Sequence, residues 1–435
     1  MDKAKAYFKG KKITVMGLGL LGKGLGDTVF LAQCGAEIIV TDPKTAEQLA
    51  PSVVALKKFK NITFVLGEHR LQDFENRDVI LKAQGVPLDS AYISYARKHN
   101  IPIRMDDELF VSFLPKNVTV IGVTGTRGKT TVSSLIYHIL KKSGKKVYLG
   151  GNIRGVATLS LLAKIKSGDI VVLELSSWQL QGFGELKISP HISVFTNFMP
   201  DHMNYYKNNL KGYFADKAFI FKYQKEGDTL VVGESLQKKI PKSYKGTMIV
   251  SNPGNVPKNW KLQIVGEHNI ENVALAIDAV RALKIPLAKI KSGVESFKAV
   301  EGRLQFVKNI KGISVYNDNN STTPEATTVA LKSFPKKQIV LIMGGADKNL
   351  DTTELLKTAE ECAHTVILLP GSGSDKITSQ DFYRAESLKD ALETAFRSAD
   401  KGDVVLFSPG FASFGLFTNE YDRNDQFLKL VKGLK

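Results

Sequence analysis

The run Gly125-Thr126-Arg127-Gly128-Lys129-Thr130-Thr131 has the residue types and the order that can hold a polyphosphate. It follows the apolar stretch VTVIGV and precedes a long amphipathic one, so it reads as the turn between a strand and a helix. Successive backbone N–H groups at such a turn form an anion nest, a lysine can neutralise β- and γ-phosphate oxygens, and a threonine hydroxyl can ligate Mg²⁺. Glycines stand at 122, 125 and 128, and Val123 occupies the first glycine position of the usual G-x4-G-K-T spacing. An ordinary helix N-cap is the plain alternative for the same residues.

A second glycine loop lies near the start of the chain. Gly17-x-Gly19-x-x-Gly22 follows the strand-like ITVM and precedes a helical stretch, and Asp42 closes the next strand-like run, EIIVT. Glycines there allow a tight turn and a close approach to phosphate, and an acidic residue at that spacing suits a ribose hydroxyl. Glycines that merely let a helix pack on a strand would look the same. Because the chain carries two loops of nucleotide type, simple hydride transfer does not explain it.

Three further residues could complete a site. Glu174, at the end of DIVVLE, would suit a Mg²⁺ ligand or a solvated turn. His202, in Asp201-His202, is by type as readily a structural hydrogen-bonder as a functional group. Lys217, in YFADKAFIF, reads by itself as a lysine on a helix surface.

Apolar runs of strand length recur along the chain: ITVMG, EIIVTD, VTVIGVTG, DIVVLELS, ISVFTN, QIVLIMGG, HTVILLPG and DVVLFSPG. Separated by helical stretches, they predict parallel sheets in doubly wound α/β domains. The chain has 435 residues, enough for about three domains. Joints are expected at Leu114–Asn117 and Glu301–Arg303, which divides the chain into 1–112, 113–301 and 302–435. The 60 basic and 43 acidic side chains leave a net charge of +17. Residues 113–301 hold 27 of the basic and 13 of the acidic ones, so nearly all the surplus belongs to the middle segment. That points to the chemistry of this segment, with a background field around a polyphosphate site, while pairs such as Lys141-Lys142 and Lys145-Lys146 read as solvated faces.

Cys34 and Cys362 match neither a disulfide framework nor a zinc spacing and read as buried thiols. With no apolar leader and no membrane-length apolar window, the expectation is a cytoplasmic protein without a membrane span. A basic nucleic-acid-binding ATPase would need stacking aromatics beside its cations, and none are evident; no nucleic-acid partner is expected.

Taken together, the motifs resemble the Mur ligase family. The resemblance rests on Gly125–Thr131, Glu174-Leu-Ser-Ser177, Asp201-His202-Met203 and Lys217, which stands 15 residues after the histidine. It continues through Gly266-Glu-His268-Asn269-x-x-Asn272, Glu301-Gly302-Arg303, Asn317-Asp318, Gly344-Gly345-x-Asp347-Lys348 and Ser408-Pro409-Gly410-Phe-Ala-Ser413. Within the family, the first glycine loop, LELSSWQL and SPGFASF look like the branch that adds D-glutamate to UDP-N-acetylmuramoyl-L-alanine.

The resemblance implies a Rossmann-like N-terminal domain holding UDP, a central ATPase domain with a mostly parallel sheet, and a Rossmann-like C-terminal domain for the acceptor amino acid. Gly19, Leu20, Leu21, Gly22, Asp42 and Asn152 would meet the UDP substrate. Gly125, Thr126, Arg127, Gly128, Lys129, Thr130, Thr131, Asn269, Asn272, Arg303 and Asp318 would meet ATP. Thr130 and Glu174 would hold one Mg²⁺, and His202 with Lys217, carbamylated to N6-carboxylysine, would surround a second. Lys129, His202, Lys217 and Arg303 would serve catalysis, and Thr322, Lys348, Ser413 and Phe414 would bind the acceptor.

The implied reaction is ATP-dependent amide formation through an acyl phosphate, by a monomer working in peptidoglycan precursor synthesis. One departure stands out: Asn320 replaces the family's lysine in the segment Asp318-Asn-Asn-Ser-Thr322. L-glutamate or another amino acid is therefore a second possible acceptor.

Overall fold

The structure is a computed structural model that describes residues 1–20 and 22–434. Leu21, expected at the UDP site, lies outside the described residues. Among the described residues the strands form three sheets, each layered with helices.

The first sheet comprises β1 (Lys12–Met16), β2 (Glu37–Asp42), β3 (Ile62–Leu66), β4 (Val79–Lys82) and β5 (Ile103–Arg104), in the order β3-β2-β1-β4-β5. All its pairings are parallel, and strand order reverses between β1 and β4. Ligands of open α/β sheets bind at the carboxyl ends of strands flanking such a reversal.

The second sheet holds β6 (Thr119–Thr124), β7 (Val147–Gly151), β8 (Ile170–Glu174), β9 (Ile192–Phe195), β10 (Thr229–Gly233) and β11 (Thr247–Ser251). Its order is β11-β10-β9-β6-β8-β7, again wholly parallel. Parallel strands covered by helices on both faces must be apolar along their whole length, and β8 is buried from end to end.

The third sheet contains β12 (Gln305–Ile310), β13 (Ile313–Asn317), β14 (Ile339–Gly344), β15 (Thr365–Leu369), β16 (Tyr383–Arg384) and β17 (Val404–Phe407), in the order β12-β13-β17-β14-β15-β16. β12 and β13 form an antiparallel hairpin, and the remaining pairs are parallel. The hairpin turns on Lys311 and Gly312, both with positive φ (52° and 91°), the backbone that a two-residue turn between twisted strands requires.

The chain divides into two compact units. The first contains Met1–Val256 and Asn272–Gly293; the second contains Pro257–Glu271 and the residues from Val294 onward. One apolar core runs through both sheets of the first unit, where Phe8 and Phe110 share a cluster with Leu173, Leu180 and Phe183. Sheet three packs on its own clusters, one around Val405, Phe407 and Phe427 and one around Leu341, Leu355 and Leu406. Both cysteines are free and buried, as expected. No described helix is long and apolar enough to cross a membrane.

Candidate active site

Each phosphate-type loop sits at the carboxyl end of a central strand. In the first unit, Gly125–Gly128 joins β6 to the helix Lys129–Lys142. Gly125 has φ of 148°, and a Cβ there would lie 1.9 Å from Thr196 Oγ1, so only glycine fits. Asn197, just beyond β9, braces the turn: its carbonyl accepts from Thr126 N–H at 3.0 Å and its Oδ1 from Arg127 N–H at 2.9 Å. Arg127 Nη1 lies 2.7 Å from Asp201 Oδ2. The Lys129 ammonium folds onto the loop, donating to the carbonyls of Gly125 (3.1 Å) and Thr126 (3.0 Å). A Cβ on Gly128 would meet Asn272 Oδ1 at 2.3 Å, which places Asn272 against the loop.

Lys217 is not on a helix surface; it is 1 % exposed. The helix Leu210–Lys222 packs on the helix Ser177–Leu186, with Phe219 against Gly184, and this turns the Lys217 side chain inward. Its Nζ donates to the Gly125 carbonyl at 2.8 Å and lies 4.8 Å from the Tyr213 ring centre. Burial, reinforced by the neighbouring Lys129 charge, pushes its pKa well below that of an ordinary lysine.

Glu174 ends β8 at 2 % exposure. Its Oε1 accepts from Asn152 Nδ2 at 3.2 Å, whereas its buried Oε2 has no hydrogen-bond partner. An unpartnered buried carboxylate oxygen is costly, and a hard divalent cation is the kind of group that would satisfy it.

His202 adopts a left-handed backbone (φ 55°), and its ring centre lies 4.7 Å from that of Trp178. Burial lowers its pKa; Asp201 opposes the shift while the cations Lys129, Lys217 and Arg127 add to it. The ring is therefore predominantly neutral at pH 7, free to accept a proton or a hydrogen bond.

Asp42 is buried at 1 % exposure, and its Oδ2 accepts from the N–H groups of Leu18 (2.9 Å) and Gly19 (3.1 Å). The carboxylate thus fixes the first glycine loop itself, which leaves Leu20 half exposed beyond it. Sequence reasoning missed Lys82, the last residue of β4. It is 2 % exposed and donates to the carbonyls of Ala83 (3.2 Å) and Val86 (2.9 Å), shaping the turn that faces Gly17 across the strand-order reversal. A lysine ending an otherwise apolar run was the available signal.

In the second unit Asp318 is buried; its Oδ1 accepts from Leu304 N–H (3.0 Å) and its Oδ2 from the hydroxyls of Ser321 (2.5 Å) and Ser408 (2.8 Å). Burial pushes its pKa up to about 6 despite these donors. Arg303 lies two residues before the start of β12 at Gln305, and Asn269 Nδ2 donates to the Val265 carbonyl at 2.7 Å. Lys348 Nζ donates to Thr322 Oγ1 at 3.0 Å. Asn320 Nδ2 faces the Glu301 carbonyl at 3.4 Å, Ser413 is buried, and Phe414 is 63 % exposed. Also missed was Arg423, fully buried, whose guanidinium holds Asn319 Oδ1 (2.8 Å), the Asn319 carbonyl (2.9 Å) and the Phe411 carbonyl (3.2 Å). It ties the Asn319–Thr322 segment to the Phe411–Phe414 segment from below.

The structure therefore brings Gly125–Thr131, Glu174, Asn152, His202, Lys217 and Asn272 together with the first glycine loop in one unit. Asn269, Arg303, Asp318, Thr322, Lys348, Ser413 and Phe414 belong to the other.

Residues 123–239 match the family model of the Mur ligase middle domain, and residues 302–411 match that of the Mur ligase glutamate ligase domain. The chain is 37 % identical to the UDP-N-acetylmuramoylalanine--D-glutamate ligase of Borreliella burgdorferi (strain ZS7), over 98 % of each chain. The chain belongs to the Mur ligase family.

The enzyme of the same name from Clostridium kluyveri (strain NBRC 12016) is 32 % identical to this Mur ligase, over all of this chain and 99 % of that one. Its fold is that of UDP-N-acetylmuramate-alanine ligase from Thermotoga maritima (TM-score 0.62, 21 % identity, 97 % and 99 % covered). MurF ligase from the same organism, solved in complex with ADP, matches at TM-score 0.61, with 19 % identity and 98 % and 95 % covered.

Proposed function

We propose that this Mur ligase joins the carboxylate of UDP-N-acetylmuramoyl-L-alanine to the amine of D-glutamate at the expense of ATP. The observation that carries the reading is the cluster at the carboxyl end of β6. A glycine turn with an inward lysine, a buried carboxylate with an unpartnered oxygen, a neutral histidine and a buried lysine whose pKa is pushed well down all meet there. The names of full-length relatives supply the acceptor.

ATP phosphates would lie on the N–H groups of Gly125–Thr131, with Lys129 swung from the loop carbonyls onto the β- and γ-oxygens and Asn272 closing the turn. Thr130 and Glu174 are the residues that would hold one Mg²⁺. His202 and the carbamate of Lys217 would hold a second. Bound there, the ions supply positive charge to polyphosphate oxygens and to the acyl phosphate. Among the described residues no three His, Cys, Asp or Glu side chains group as a metal site.

Carbamylation resolves the oddity of a buried cation at this position. The unprotonated fraction of the Lys217 amine attacks CO2: the N–C bond forms as one C=O π pair moves onto oxygen, and the nitrogen gives a proton to solvent, leaving an anionic carbamate in place of the ammonium. The substrate carboxylate then attacks the γ-phosphate, ADP departs, and the acceptor amine displaces phosphate. His202, unprotonated, is suited to orient or deprotonate that amine.

The UDP moiety would rest on Gly19, Leu20 and Gly22, with Asp42 fixing the loop and Asn152 alongside. The acceptor would meet Lys348 and Thr322, a cation and a hydroxyl already joined, with Ser413 and Phe414 adjacent. In the second unit, Asn269, Arg303 and Asp318 are the residues that would meet ATP.

Phosphate release from ATP in the presence of UDP-N-acetylmuramoyl-L-alanine, Mg²⁺, bicarbonate and a panel of amino acids tests the reading. D-glutamate should give turnover and a product heavier by one glutamyl residue. Turnover with L-glutamate in preference would reassign the acceptor, and no turnover with any amine would sink the ligase assignment.

A further inference from the structure

The phosphate-type loop lies at the carboxyl end of β6, and every strand of that sheet is parallel, so all six amino ends share the opposite edge. That edge is basic. Lys141, Lys142, Lys145 and Lys146 occupy the end of the helix Lys129–Lys142 and the turn into β7, and all four are exposed. Lys164 and Lys166 are exposed on the turn into β8. These turns interlock: Ile170 N–H donates to the Lys146 carbonyl at 2.9 Å, and the Tyr148 hydroxyl to the Lys164 carbonyl at 3.0 Å.

Exposed Lys116 adjoins them through Asn117, whose carbonyl accepts from Gly168 N–H at 3.2 Å. Lys289 donates to the Ser143 carbonyl at 3.2 Å from the other side. The carboxylate within these turns, Asp169, is buried and caps Lys166 N–H at 2.8 Å. Further along the edge, Lys187 and Lys245 are also exposed, whereas Lys225 shares its turn with Glu226 and Asp228, so the basic stretch is confined to the β6, β8 and β7 end. The surplus charge that the sequence places in the middle segment thus stands in large part away from the phosphate loop.

We propose that this edge is a docking surface for an anionic phospholipid bilayer. The amino ends of β6, β8 and β7 are in register, Thr119 and Val147 each pairing with Ile170, so the lysines line one rim that spans about 10 Å across these three strands. All the cations named here are lysines, hydrated point charges suited to a diffuse negative surface rather than to paired hydrogen bonding of one phosphate. The turns present no exposed aromatic ring for base stacking; Tyr137 and Tyr148 are half-buried. Each lysine juxtaposed to such a surface strengthens partitioning about fivefold.

Cosedimentation of the full chain with vesicles of one part phosphatidylglycerol to two parts phosphatidylcholine tests this. Binding is expected at low salt, none to phosphatidylcholine alone, and loss by about 1 M salt, where screening is nearly complete. Changing Lys141, Lys142, Lys145 and Lys146 together to Glu should lower the partition coefficient by on the order of a hundredfold or more. Ligase turnover on the soluble substrates should persist, and this reports that the variant folds. The same four positions changed to Gln give a milder variant that should still lose binding. Four exposed lysines elsewhere, Lys357, Lys389, Lys429 and Lys432, changed to Glu should leave binding largely intact. Equal loss in both sets, equal binding to neutral vesicles, or tighter binding to a DNA duplex at the same salt would overturn the proposal.

Discussion

Lys129 and Lys217 donate to the same acceptor, the Gly125 carbonyl, at 3.1 and 2.8 Å. Two ammonium groups cannot comfortably share one oxygen in a buried site, and burial, reinforced by the Lys129 charge, pushes the Lys217 pKa well below that of an ordinary lysine.

Lys129→Met removes the nearest like charge and should raise the Lys217 pKa, so less amine is free for CO2 at neutral pH. With isotopically labelled bicarbonate, the carbamate signal should move to higher pH in the variant. An unchanged pH dependence would show that Lys129 does not control Lys217. The folded pKa lies below the unfolded value, so the buried ammonium counts against folding at low pH. That penalty should fade as pH rises toward about 10.4.

Glu174→Gln should cost about 10²- to 10³-fold in kcat, as expected for removing one preorganised charge from a polyphosphate site. Thermal stability should hold or rise, because the variant replaces a buried, half-satisfied carboxylate with a neutral amide. A large drop in Tm would instead make Glu174 a structural residue.

Lys82→Met should raise KM for the UDP substrate about tenfold with kcat nearly unchanged, since Lys82 shapes a turn and touches no reacting atom. Burial lowers its pKa to about 8. Below pH 8 the desolvated ammonium therefore subtracts from wild-type stability, and the penalty disappears between pH 8 and about 10.4. Wild type should gain on the order of 3 kcal/mol relative to Lys82→Met over that interval, as measured by urea unfolding.

Asp318 behaves in the opposite sense. Its folded pKa, about 6, exceeds the ordinary value of 3.8, so the folded state loses stability as pH rises from about 4 to 6 and the loss persists above. Asp318→Asn should flatten that slope and match or exceed wild-type stability at pH 7.5. Its KM for ATP should rise. A slope that survives the substitution would assign it to another carboxylate.

The sequence displayed most strands that are apolar on both faces, because complete burial leaves a continuous run such as Ile170–Glu174, but the equally buried Val79–Lys82 and the largely buried Thr229–Gly233 were not among the runs read. It hid β12 and β13, whose half-exposed residues follow no such run, and their turn through Lys311-Gly312 lacks the usual asparagine or aspartate. Loop chemistry was legible wherever glycine and a charged residue coincide, as at Gly125–Lys129. Lys217 and Lys82 were misread or missed because a lysine's burial depends on which elements pack over it, and that is a tertiary fact. Arg423 was invisible for the same reason: its partners are an amide and a backbone carbonyl about a hundred positions earlier in the chain and a second carbonyl a dozen positions earlier.

The apolar core shared by Phe8, Phe110 and Phe183 has a thermal counterpart. A chain cut at the Leu114–Asn117 turn would leave each half with a bare aromatic face, so neither fragment should stay monodisperse when expressed alone. In a calorimeter the UDP-side and phosphate-side sheets should absorb heat in one shared peak, making two ligand-binding regions a single cooperative block.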